Sequence, residues 1–324
     1  MDPACARARR RGCGRGLRVE PDAGRTRRQG GVRARRNQAD GESRGGRACN
    51  RSRRRPRLPR RRPRRVSRRV HAEGDDGVAS RHRVDAWSAW ISGNRKNYAG
   101  YYQRLADSGF TVVSVGYSLA PGHRYPTAVH QLNDAHAYLL AHAAELHIDP
   151  DRIVLAGDSA GAQLSAQLAS AITAPEVARA LGVEPALSAE ALRGVVLNCG
   201  IYNVPAMDGA GGLVGWGVQQ ALWAYTGDRD FASSKAARQM SSLFVVTENF
   251  PAAFINGGNA DPLTATQSKP LAGALSELGV AVDEVFYPDD HTPELGHEYQ
   301  FDLSLQDARD ALDRTITFVH KVTA

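Results

Sequence analysis

Residues 1–83 contain no lysine, isoleucine, phenylalanine, tyrosine or tryptophan, and their only leucines are Leu17 and Leu58. A stretch so poor in large apolar side chains cannot bury enough surface to offset the entropy of ordering it. It is expected to be disordered in isolation. The chain's formal charge of +8 is concentrated there. By count the segment is near +20 and the remainder about −12, so the basic average does not describe the body of the protein. Cysteine is scarce as well: Cys5, Cys13 and Cys49 lie in the basic segment, and Cys199 stands alone in a predicted strand. No disulfide framework and no oxidising compartment follow from that usage. No apolar run approaches the roughly 20 residues needed to span a bilayer. Arg9, Arg10 and Arg11 are not followed by the apolar stretch of an export signal, so a cytoplasmic location is expected. His123, His130, His136, His142 and His147 are scattered, and no His-Glu-x-x-His or paired-cysteine pattern occurs, which argues against metal catalysis.

Two readings of the basic segment stand. One is an arginine-rich tail that binds nucleic acid or anionic surfaces by counterion release. The other is an out-of-frame translation of GC-rich coding sequence, because arginine, glycine, proline and alanine have GC-rich codons. The second is preferred, since a tail selected for charge would carry some lysine. Under that reading nucleic acid is no partner.

From residue 84 the pattern changes to strands alternating with helices. Helices are expected over 97–108, 128–146, 162–174, 267–278 and 303–322, and strands over 110–117, 152–156, 194–198, 252–256 and 282–287. Residues 203–247 interrupt this rhythm with clustered glycines followed by a helical stretch, and are read as a lid-like insertion. The alternation predicts an α/β domain over 84–324 with a mainly parallel sheet covered by helices on both faces.

Gly157-Asp158-Ser159-Ala160-Gly161 lies between the short apolar strand and the Ala-, Leu- and Gln-rich helix. A Gly-x-Ser-x-Gly turn at a strand-to-helix junction pushes the serine hydroxyl out of the sheet. Ser159 is therefore the candidate nucleophile. The helix N-terminus beside it leaves N–H groups free for an oxyanion, the Ala160 N–H among them. A serine needs a general base, and the base needs an orienting carboxylate. Asp261 follows a predicted strand in Gly257-Gly258-Asn259-Ala260-Asp261-Pro262. His297 precedes the last helix and is preferred as the base to His291, which sits in a polar turn. The order Ser, Asp, His is that of the α/β-hydrolases. Trp90, Trp216 and Trp223 are candidates to line the substrate pocket, with core packing as the competing reading for the two in the insertion. Glu298 is read as pointing to solvent or capping the final helix.

Tyr117-Ser-Leu-Ala-Pro-Gly-His-Arg-Tyr-Pro126, Asp149-Pro-Asp-Arg-Ile153, Gly157-Asp-Ser-Ala-Gly161 and Ala260-Asp-Pro-Leu263 resemble the hormone-sensitive-lipase-like branch of the α/β-hydrolase superfamily. The likeness covers roughly residues 88–324. It implies an α/β-hydrolase fold and a carboxylesterase of the acetyl or feruloyl esterase kind, with Ser159 as nucleophile, Asp261 as triad acid and His297 as base. Asp158 is assigned to supporting the elbow. No cofactor is implied. Short or medium acyl esters, or small aryl esters, are the expected substrates. An arylformamidase-type amide hydrolase uses the same triad and remains an alternative. So does an inactive hydrolase-fold protein with a nucleic-acid-binding tail, because the resemblance also implies a His-Gly-Gly loop where this chain has Ala86, Trp87 and Ser88. The family's early strands are likewise expected to be missing.

Overall fold

The computed structural model describes residues 81–87, 90–93, 98–209 and 212–324. The basic segment, read above as disordered or misread, lies outside them up to residue 80. Six strands form one sheet: β1 (Arg81–Trp87), β2 (Phe110–Val115), β3 (Ile153–Asp158), β4 (Leu192–Asn198), β5 (Ala253–Gly257) and β6 (Val282–Phe286). Their spatial order is β2-β1-β3-β4-β5-β6, and every neighbouring pair is parallel. A parallel sheet needs cover on both faces, and the central strands read accordingly as apolar runs.

The period-2 alternation of the pleat decides which helix each side chain meets. Ile153, Leu155, Val195, Leu197, Ala253 and Ile255 share one core with Val129, Leu132, Leu164, Leu271 and Leu275. Those partners belong to α2 (Thr127–Ala141), α3 (Ser159–Thr173) and α7 (Lys269–Glu277). Val154, Ala156, Val196 and Phe254 point the other way, against Tyr101, Leu105, Leu312 and Phe318. These come from α1 (Ala99–Asp107) and α8 (Gln306–Val322). Helix α3 is buried from Ala160 to Ala171. Its run of Ala, Ser and Gln suits that position, because small side chains let a helix lie close to the sheet. The remaining α-helices of the described residues are α4 (Pro175–Leu181), α5 (Gly212–Thr226) and α6 (Lys235–Met240). No helix among the described residues is long and apolar enough to cross a membrane.

Strand β1 departs from the sequence reading. Patterning puts no strand before residue 88, yet Arg81–Trp87 forms one between β2 and β3, pairing with both along its length. Four of its seven residues are polar or charged, so it lacks the apolar signature of a central strand. Only pairing on both edges makes it one. The expectation that the family's early strands are missing falls on residues outside those described.

His136 of α2 is buried, its Nδ1 has no hydrogen-bond partner among the described residues, and burial pulls its pKa down to about 4. The folded protein therefore holds it neutral at pH values where the unfolded chain protonates it. Stability should fall as pH drops from the ordinary histidine range towards 4, by about 2 kcal/mol between pH 7 and pH 5 from this residue. Urea unfolding of His136→Leu at the two pH values is expected to show a correspondingly smaller loss than wild type. Equal losses would remove His136 as the cause.

Candidate active site

The carboxyl ends of the parallel strands bring the candidate residues to one edge, where sites form in open α/β sheets. Asp158, the last residue of β3, pairs with Asn198 of β4, and Asn198 with Asn256 of β5. Ser159 and Cys199 are thus the next residues on adjacent strands, and the loop carrying Asp261 leaves the strand beside them.

Ser159 has φ 47°, in the left-handed region that side-chain-bearing residues seldom occupy. Gly157 makes the turn possible. A Cβ there would lie 2.3 Å from the carbonyl carbon of Gly161, 2.4 Å from its oxygen and 2.6 Å from Ala162 N. The strand's exit and the helix's first turn touch through backbone alone. Ser159 opens α3 and Ala160 follows it, so the Ala160 N–H belongs to the first turn, whose donors have no intrahelical acceptor.

Asp261 is buried and both of its oxygens are engaged. Oδ1 accepts from the Leu263 N–H at 2.9 Å, and Oδ2 lies 3.0 Å from His297 Nδ1. The two loops are fastened to each other independently of that contact. Ala260 N donates to Leu295 O at 3.0 Å, and Leu295 N donates to the Asn259 side-chain oxygen at 2.9 Å. Gly258 lies against Leu295, where a Cβ would meet its carbonyl oxygen at 2.0 Å. His291 is held elsewhere, 3.0 Å from Asp307 Oδ1. The structure thus gives Asp261 to His297 and not to His291.

Burial by itself would lower the His297 pKa. The hydrogen bond to Asp261 and the negative charges of Asp261 and Glu298 outweigh it, so the net shift is upward. A raised value means that the imidazole loses its basic form while pH is still comparatively high, and any base catalysis by it is lost on the acid side. No hydrogen bond joins Ser159 Oγ to this ring among the described residues. Such contacts commonly tighten only when substrate is bound. Cys199 lies beside the pair: Cys199, Asp261 and His297 each have a ligand-type atom within 4.8 Å of the others. The thiol is fully buried, which raises its pKa and keeps it protonated, and it points at Gln300 Oε1 at 3.4 Å.

Three tryptophans were candidates for the pocket. Trp90 is not available for it. The residue is 2% exposed, its indole N–H donates to Gln163 Oε1 at 3.1 Å, and its ring stacks on Tyr225 at 5.5 Å. Packing around α3 accounts for it. Trp216 and Trp223 stand on α5, where Trp216 is 60% exposed and Trp223 lies 4.2 Å below the Arg229 guanidinium. Ala86 and Trp87 pair with Gly157 and Asp158. The segment in which the resemblance implies His-Gly-Gly therefore runs beside the elbow. Residues 88 and 89 lie outside those described.

Patterning missed the buried amides that hold this edge together. Gln163 Nε2 donates to Met240 O at 3.0 Å, and Gln167 Nε2 to Gln239 O at 2.7 Å, tying α3 to α6. Gln267 Oε1 accepts from Tyr202 N at 2.9 Å and Asn203 N at 2.7 Å, where the insertion begins. It sits in a π-helical turn, Thr264–Ser268, a local widening often found at functional sites. Glutamine at i and i+4 within a helix otherwise made of small and apolar residues is the available signal. Glu298 was also misplaced: its carboxylate faces inward, as described below.

A family model described as the alpha/beta hydrolase fold matches residues 88–292. The chain belongs to that family. The hormone-sensitive-lipase-like resemblance read from the motifs agrees with it. Lipase 2 of Moraxella sp. is 44% identical over 70 residues, 22% of this chain and 16% of that protein. Ethyl acetate hydrolase of Pseudomonas putida is 43% identical over 68 residues, 21% of each. The chain thus aligns with about a fifth of the length of these curated relatives. Esterase B of Lactobacillus rhamnosus matches as a structure with a TM-score of 0.68 at 19% identity, over 78% of this chain and 79% of its own, which establishes the shared fold.

Proposed function

We propose that this protein is a serine hydrolase of carboxylic esters, with Ser159 as nucleophile, His297 as general base and Asp261 as the carboxylate that orients it. The carrying observation is the 3.0 Å Asp261–His297 contact at the sheet edge where the backbone of Ser159 is held in the left-handed region. In this reading Ser159 Oγ attacks the ester carbonyl while His297 Nε2 takes its proton. Asp261 holds Nδ1 protonated and offsets the positive charge formed on the ring. The Ala160 N–H, at the positive end of α3, stabilises the oxyanion. The proton passes to the leaving alcohol. Water then attacks the acyl-enzyme with His297 again as base, releasing the acid and restoring Ser159.

Short or medium acyl esters and small aryl esters are the proposed substrates. A relative, the ethyl acetate hydrolase of Pseudomonas putida, is named for an ester with a small acyl group, which supports this range. The 203–247 insertion, anchored to α3 through α6, is proposed to bound the pocket, with Trp216 and Trp223 on its outer helix. A fluorophosphonate probe tests the reading. It should modify the protein once, and peptide mapping should find the adduct on Ser159. Activity should fall as the acyl chain of p-nitrophenyl esters is lengthened from acetate to palmitate. A folded protein that resists the probe, or an adduct elsewhere, would end this proposal.

A further inference from the structure

Glu298 has φ 63° and ψ 22°. A glutamate rests in that left-handed conformation only when its surroundings compensate. They do so through its carboxylate. Oε2 accepts a 2.6 Å hydrogen bond from the Tyr98 hydroxyl, 200 residues away in sequence. Oε1 lies 3.9 Å from His297 Nε2. Tyr98 is held in turn: its ring stacks on Phe301 at 3.9 Å, and Tyr101 meets the same Phe301 edge-on at 5.0 Å. Burial, and then the bond to Glu298, raise the Tyr98 pKa, so its hydroxyl stays protonated and remains a donor.

His297 thus stands between two carboxylates, Asp261 on the Nδ1 side and Glu298 on the Nε2 side. We propose that Glu298 and Tyr98 are a positioning pair for His297, in which Glu298 stabilises the imidazolium formed when the ring accepts the serine proton and Tyr98 holds the carboxylate in place. This rests on the triad reading given above. At 3.9 Å the carboxylate is too distant to take the proton itself. The proton moves from Ser159 Oγ to Nε2 and on to the leaving alkoxide, and Glu298 acts through its charge throughout. Beside this ring the other ionisable groups are Asp261 after β5 and Cys199 after β4, while Tyr98 before α1 bonds to Glu298 and the charge of Asp158 at the end of β3 acts on Tyr98 and Cys199. Asp261 is already committed to Nδ1, and Cys199 and Tyr98 remain neutral.

Glu298→Gln keeps the size of the side chain and an oxygen for the Tyr98 hydroxyl while removing the charge. With both side chains about one-third exposed, solvent screens the interaction, and kcat should fall about three- to tenfold with KM little changed. The acid limb of the kcat/KM profile and the NMR titration of His297 should both move to lower pH. Tyr98→Phe should move them in the same direction by less, and the double variant should match Glu298→Gln alone. A purely structural Glu298 would lower the melting temperature without moving either midpoint, and that result would overturn the pairing. Losses that simply multiply in the double variant would also overturn it. Failure of the triad reading shows separately, as a wild-type protein that fluorophosphonate does not label.

Discussion

Ser159→Ala should lower kcat for ester hydrolysis by about 10⁶, and Asp261→Asn by about 10⁴, if both belong to one catalytic unit. The two losses have different origins. Alanine removes the atom that bonds to the acyl group. Asparagine leaves that atom in place but presents His297 Nδ1 with a neutral partner, which favours the wrong tautomer and does not offset the ring's developing charge. Asp261 has no slack to absorb the change, because its other oxygen is committed to the Leu263 N–H at 2.9 Å. The double variant should therefore be no slower than Ser159→Ala alone. Stopped assays with p-nitrophenyl acetate give the rates, and a circular dichroism melt checks the fold of each variant. A Ser159→Ala protein that retains more than about a hundredth of the wild-type rate would place the nucleophile elsewhere, since removal of a triad serine leaves far less than that.

The second large effect is on the fold. Gly157→Ala should cost more than about 4 kcal/mol, because the added methyl meets backbone and not a movable side chain. Its nearest neighbours, Gly161 C and O and Ala162 N, all lie within 2.6 Å of the new carbon. Relief requires α3 to move away from β3, and α3 is the most completely buried helix of the domain. Gly273→Ala is the matching control. Gly273 lies in α7 with nothing within 4 Å of a built Cβ. There the exchange should stabilise by up to about 1 kcal/mol, the difference in helix propensity. Urea unfolding of both variants reads the contrast directly. A Gly157→Ala protein as stable as wild type would mean that the elbow is not packed as described.

The elbow was legible in the sequence for the same reason that it is fragile. Its glycines, its strand and its helix are all determined within about twenty residues, and the turn chemistry leaves few alternatives. Strand β1 was not legible. Arg81–Trp87 is mostly polar, and nothing local distinguishes it from the arginine-rich stretch before it. Its place comes from backbone pairing with strands that begin at residues 110 and 153. Trp90 shows the same limit from the other side. By its residue type alone a tryptophan suits a pocket wall as well as a core. Gln163 and Tyr225, which are remote in sequence, decide for the core.

Short-range pattern by itself determined the class of fold, the strand-turn-helix elbow at Ser159 and the choice of Ser159, Asp261 and His297 as candidates, because periodicity and turn residues act over a few positions. Tertiary structure decided which histidine Asp261 takes, where the charge of Glu298 points and what holds the insertion down. Each of those rests on a contact between loops or helices far apart in the chain. His297 and Asp261 are 36 residues apart, and Tyr98 and Glu298 are 200 apart. The sheet brings such residues together by aligning the ends of its strands, and no local preference records which ends will meet.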